Sequence, residues 1–239
     1  MTLEELSNGF DVLVSSYRRF KDFDKREMLD SIEFNEYEKS VWLTKSQEEI
    51  VISLYNGKNP FGESFESTEE LRRYLSPLVA ETTDPLTPIE TSNGKPLGVD
   101  SNSKFFTLPK DLWFITYEHV NVGDAACDAL STMDVYPVTQ DEYLKIKKNP
   151  FRGANGRRAL RLDLAENVVE IVCKYPVTEY YIRYIKKPKP IVLEDLPNGL
   201  TIEGKGEESP CELHEALHQK ILERAVRMAL QSKGMKIED

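Results

Sequence analysis

Cysteine and histidine are both scarce in this chain, which has three of each among 239 residues. Cys127, Cys173 and Cys211 follow no spacing pattern, which excludes a disulfide framework and suits a reducing compartment. No apolar run approaches the roughly 18 residues of a membrane span. The first residues, MTLEELSNGFDVL, are acidic where a secretory leader is basic, so no membrane partner is expected. Glycine-rich phosphate loops and the G-x-S-x-G nucleophile turn are absent. FRGANG, residues 151–156, has two glycines but lacks the Lys-Ser/Thr that completes a phosphate loop. No catalytic residue and no cofactor is expected.

What is present is charge, unevenly spread. The chain is 40% hydrophobic and 30% charged, with a net charge of −10. Residues 1–80 and 81–140 each carry −6, residues 141–190 carry +6, and residues 191–239 carry −4. The positive stretch is densest at 145–161, where Lys145, Lys147, Lys148, Arg152, Arg157, Arg158 and Arg161 occur with no acidic residue among them. An acidic chain is a poor generic DNA binder, because phosphate binding leans on Lys and Arg. A basic segment inside it points instead to an acidic partner surface, or to a merely solvated loop. Lys147, Lys148, Arg152, Arg157, Arg158 and Arg161 are the candidate partner-binding residues, since guanidinium groups suit carboxylates at interfaces.

Helical periodicity dominates the first third. Thr2 and Glu5 form a capping box ahead of Leu3, Leu6, Phe10, Val14 and Tyr17. Thr44 and Gln47 repeat the box before Ile50, Val51, Leu54 and Tyr55, with Gly57 as a stop. A third helix opens at Ser67 and ends near Pro77. From residue 82 the character changes to turn residues and then to alternating, β-branched runs: LWFITYEHV, VVEIVCKY and EYYIRYI. Residues 145–161 read as a basic, turn-containing loop running into a short strand. KKPKPIVLEDLPNGL reads as an extended connection. The expected fold class is α+β: a helical bundle formed by the N-terminal helices and the C-terminal helix, with an inserted antiparallel β-rich domain. The expected divisions are 1–81, 82–204 and 205–239.

The last helix carries the other candidate site. Ser209 as N-cap, Pro210 at the first position and Glu212 at the third predict a helix of about six turns ending at Gly234. Cys211, His214 and His218 would then share its apolar arc, where i and i+4 side chains can face one ion. A structural zinc site takes four ligands, and no second knuckle exists to supply the fourth. The expectation is a docking helix without metal. A metal-binding module or hydrolase on these three residues, or a nucleic-acid-binding module on 145–161, is the alternative.

The run YYIRYIKKPKPIVLEDLPNGLTIEGKGEESPCELHEALHQKILERAVRMAL, with EYEKSVWLTKSQEEIVISLYNG and NPFRGANGRRALRLD, resembles head–tail adaptor proteins of tailed bacteriophages, particularly crAss-like phages. Tail tubular adaptors of short-tailed phages are similar in role. The resemblance implies a non-enzymatic virion protein of the neck, made in the host cytoplasm. It implies a ring, a dodecamer, docked under the portal and against an adjacent neck or tail ring protein. Genomic DNA would pass through its channel without sequence-specific binding. Rings need head-to-tail interfaces between two different patches of one chain, which a basic segment in an acidic chain supplies.

Overall fold

The structure, a computed structural model, describes residues 1–19, 33–58, 67–89, 103–124, 127–164 and 167–235. They form a mixed α and β protein of two compact units, residues 1–78 with 187–239, and residues 79–186. No helix among the described residues is long and apolar enough to cross a membrane.

In the first unit, α1 (Leu3–Arg19) starts at the expected box. Glu5 N donates to Thr2 Oγ1 at 3.2 Å, and Thr2 N donates to Glu5 Oε2 at 2.8 Å. Leu6, Phe10 and Val14 then fall on one buried face, as a 3.6-residue period requires. Helix α2 (Glu36–Asn56) starts earlier than the Thr44 box suggested. Its cap is Asn35, in a reciprocal pair with Glu38, and Gly57 closes it at φ 71°, the left-handed conformation that glycine adopts without strain.

Thr44 and Gln47 lie mid-helix and face inward, because their polar groups serve another partner. Thr44 Oγ1 accepts from Ile191 N at 3.0 Å and donates to Ile191 O at 3.3 Å. Gln47 Nε2 donates to Lys189 O at 2.8 Å, and Ser40 Oγ accepts from Leu193 N at 3.0 Å. Residues 40, 44 and 47 share one helical face, so one face of α2 stitches down an extended segment whose Ile191, Val192 and Leu193 are all buried. This places the PKPIVL run with the helices. The second unit ends at Lys186, and position 204, the expected boundary, falls inside the first.

Helix α3 (Glu69–Leu75) is capped by Thr68, one residue beyond Ser67, and passes into a 3₁₀ turn at Pro77. Helix α5 (His218–Ser232) buries Ile221, Leu222, Ala225, Val226, Ala229 and Leu230 and contacts α1 and α2. Gly9 permits the approach of α1, since a Cβ there would lie 2.8 Å from Leu222 Cδ2. Ser46 Oγ donates to Ile221 O at 2.7 Å, and Arg224 grips Glu49 through two hydrogen bonds.

The second unit is an eight-stranded sheet: β1 (Val79–Glu81), β2 (Pro88–Ile89), β3 (Lys104–Thr107), β4 (Leu112–Asp124), β5 (Cys127–Val138), β6 (Arg158–Asp163), β7 (Val168–Val172) and β8 (Val177–Lys186). The order is β1-β8-β4-β5-β6-β7-β3-β2. The sheet curls so that Phe106 on β3 meets Tyr180 on β8, ring centroids 5.2 Å apart. Val120, Val122, Met133, Val169, Ile171 and Ile182 fill the same core. The expectation of a purely antiparallel sheet is corrected at one pair. β5 and β6 run parallel, Asp134 opposite Arg158 through Val138 opposite Leu162. Parallel neighbours require a crossover, and α4 (Gln140–Lys147) with the loop after it provides one. Tyr143 docks α4 on Leu160, Leu162 and Val172.

Thr44→Val removes both bonds to Ile191 and leaves a buried N–H unpaired. A loss of about 1–3 kcal/mol is expected. It is read by urea unfolding in a Trp113→Phe background, where Trp42 in α2 is the remaining tryptophan. Unchanged stability would show that the stitch is idle.

Candidate interaction surface

The three candidate metal ligands, Cys211, His214 and His218, do not share one helix. Ser209 exchanges both backbone hydrogen bonds with Val192 at 3.0 Å, so the chain is extended there and cannot begin a helix. The helix starts only at His218, after a 3₁₀ turn over Glu215–Leu217. The intended six turns shorten to 15 residues, and Cys211 and His214 lie outside them. His214–His218 also spells H-E-A-L-H, the H-E-x-x-H spacing of zinc hydrolases. That motif works only on continuous α-helix, where its two histidines share a face.

Each candidate ligand has a structural partner instead. Cys211 Sγ donates to Gln47 Oε1 at 3.2 Å, and burial pushes its thiol up to about 11. His214 Nδ1 accepts from Ala216 N at 3.3 Å and caps the turn. His218 is buried, with Nε2 at 2.9 Å from Leu213 O and Nδ1 at 2.9 Å from the Met1 ammonium. Among the described residues no group of three or more His, Cys, Asp or Glu is placed to hold a metal ion.

The basic stretch is the more developed surface. Lys145 and Lys147 occupy the last turn of α4 and Lys148 caps it, a location that the helix dipole favours for cations. The chain then folds tightly on Asn149. Its side chain accepts from Phe151 N at 2.9 Å and Arg152 N at 3.3 Å, and its carbonyl accepts from Gly153 N at 2.8 Å. A Cβ at Gly153 would sit 2.9 Å from that carbonyl oxygen, so the close turn requires glycine. Asn155 Oδ1 accepts from Arg157 N at 2.9 Å. Arg158 closes the loop, donating to Phe151 O at 3.2 Å and lying 4.2 Å from the Tyr136 ring.

The six candidate partner-binding residues therefore divide. Lys147, Lys148, Arg152 and Arg157 are exposed. Arg158 is half-buried and holds the loop together. Arg161 is withdrawn into the sheet, with side-chain exposure of 11% against 6% for its partner Glu118. Nη1 donates to Glu118 Oε1 at 2.7 Å and Nε to Asp163 Oδ1 at 2.8 Å. Tyr180 OH donates to the other oxygen of Glu118 at 2.6 Å. Burial pushes the Glu118 carboxyl up against the pull of Arg161 and Tyr180, and burial beside Glu118 raises the Tyr180 hydroxyl well above its ordinary range.

The sequence reading missed the loop's apolar tip. Phe151 is 85% exposed and Leu144 68%. An aromatic between Pro150 and Arg152 was the available signal. Beside the loop, where β4 and β5 part beyond His119 and Asp134, a groove of about 410 Å³ is lined by Tyr117, Tyr136, Glu118 and Arg161, among others. A rigid, basic loop tipped by an exposed aromatic is the chemistry of a contact surface.

That class has a family. The model of the phage tail ring protein 3/4 family matches residues 1–239, and the chain belongs to that family. It is 44% identical over 236 residues to "Ring protein 3" of Bacteroides phage crAss001, covering 98% of this chain and 96% of that protein. It is 28% identical over 239 residues to "Ring protein 4/5" of the same phage, covering 96% and 92%. The resemblance read from the sequence therefore identified a crAss-like phage ring protein.

Arg161→Met leaves Glu118 buried without its cation and is expected to cost about 3–5 kcal/mol. Arg157→Met, on the surface, should stay within about 0.5 kcal/mol of the parent. Equal effects in chemical denaturation would contradict the division. Elemental mass spectrometry should find no stoichiometric zinc in the native protein, and chelator should leave the melting temperature unchanged. One zinc per chain, lost together with folding, would restore the metal reading.

Proposed function

We propose that this protein is a structural, non-catalytic ring subunit of the virion neck. In this reading it docks under the portal, meets an adjacent neck or tail ring, and extends the DNA channel toward the tail. Helices α1, α2, α3 and α5 are the bundle that forms the adaptor core, and the sheet unit is its extension. The carrying observation is the full-length family match. An ordered basic loop on a chain of net charge −10 supports it, because a closed ring needs two unlike, complementary patches per subunit. Lys147, Lys148, Arg152 and Arg157 are the proposed contacts, facing a neighbouring copy or the portal, with Arg158 setting the loop's shape. Individual exposed pairs contribute only about 0–1 kcal/mol, but repetition at every boundary of a ring of twelve fixes register. The acidic balance suits a channel through which DNA slides, since carboxylates repel phosphate.

Arg152→Glu with Arg157→Glu should leave the monomer's melting temperature nearly unchanged and abolish assembly into multiples of the 27.5 kDa chain, read by native mass spectrometry. Wild-type assembly should weaken with salt in the same direction. Normal assembly of the variant would reduce the loop to a solvated one. Intact rings that lose DNA retention would place the loop in the channel.

A further inference from the structure

Resting on the ring reading, the structure also points to where the basic loop lands. Several acidic groups of the helical unit are already engaged: Glu49 by Arg224, Glu48 and Glu203 by Lys187, Glu212 by Lys189, and Asp11 and Glu36 by Lys39. Apart from Glu203, the loop 194–208 keeps a cluster outside these pairs. Glu194, Glu207 and Glu208 are exposed and make no ion pair among the described residues. Leu200 beside them is 46% exposed.

This loop, like its basic counterpart, is closed by its own hydrogen bonds. The Val192–Ser209 bridge closes its base, Leu196 N donates to Gly206 O at 2.8 Å, and Glu208 N donates to Asp195 Oδ1 at 3.0 Å. Its tip turns through Gly204 at φ 81°, with Ile202 and Lys205 paired across it. Preformed loops lose little conformational entropy on docking.

We propose that loop 148–157 of one copy docks on loop 194–208 of the next. Phe151 packs on Leu200, and Arg152 and Arg157 pair with Glu207 and Glu208. A twofold contact that sets either loop against its own copy is excluded by charge, because it would place like against like. The ring reading takes the contact as head-to-tail, the kind of interface that a closed ring repeats. The exposed aromatic distinguishes it from a purely electrostatic phosphate contact, since Phe151 gains by leaving water against another apolar side chain.

The test is a charge exchange in the full-length chain, followed by sedimentation over a concentration series. One variant carries Arg152→Glu and Arg157→Glu; the other carries Glu207→Arg and Glu208→Arg. Each alone should associate at least tenfold more weakly than wild type, with an unchanged circular dichroism spectrum. Mixed in equal amounts they should assemble again, alternating around the ring, because each reversed loop then meets its complement. Phe151→Ala should weaken assembly without altering its salt dependence. If wild type assembles and the Glu207/Glu208 variant assembles equally well, the receiving surface is elsewhere and this proposal falls while the ring reading stands. If the arginine variant assembles but loses affinity for duplex DNA, the loop faces nucleic acid and the proposal is overturned. A wild type that stays monomeric throughout overturns both.

Discussion

The chain leaves its helical unit at residue 78 and returns at 187, and everything else depends on how that return is held. Three buried polar side chains on α2 hold it. Ser40, Thr44 and Gln47 occupy a helical face where aliphatic residues would be expected, and each satisfies backbone groups of residues 189–193. A made hydrogen bond contributes only about 0.5–1.5 kcal/mol, but an unmade one in the interior costs about 1–3. That asymmetry selects one register for the returning strand. Slipping it by one residue would strand the buried N–H of Ile191 and Leu193 away from their acceptors. Cys211 and Ser46 extend the same network toward the last helix.

The second constraint concerns arginine. Seven cations in seventeen residues look alike in the sequence, and their environments make them different. Arg161 lies on a strand whose alternation turns it toward Glu118, where a desolvated carboxylate needs it. Arg158 takes a structural task, bracing Phe151 through its carbonyl and covering the Tyr136 ring. Arg152 and Arg157 are left outward on a loop that Asn149 and Gly153 make rigid. The proposed interface thus depends on interior chemistry, because the same fold that buries one guanidinium presents two others.

Much of the fold was legible. The Thr2 cap, the Gly57 stop and the alternating strands all follow from local sequence pattern. The errors share a cause. Thr44 with Gln47 and Ser209 with Glu212 have the spacing of capping boxes, but their polar groups are spent on tertiary partners, which spacing cannot reveal. The H-E-A-L-H run is a similar coincidence, broken by a 3₁₀ turn. The parallel β5–β6 pair was hidden because its crossover helix is eight residues long and carries four charged residues, so it reads as loop. The expected boundary at 204 follows from the extended character of residues 187–204, whereas burial of Ile191, Val192 and Leu193 keeps them with the helical unit. Of the candidate surface, the charge is visible in the sequence and the exposure of Phe151 is not, since exposure of an apolar residue is a property of the fold.

The central claim is that copies of this chain associate through two different, oppositely charged loops. Electron cryomicroscopy of the virion tests it most directly. The account predicts a closed ring of rotationally related copies, with density for Phe151 of each subunit against residues 194–208 of its neighbour. Subunits paired about twofold axes, or a ring in which loop 148–157 faces open solvent at every boundary, would contradict it.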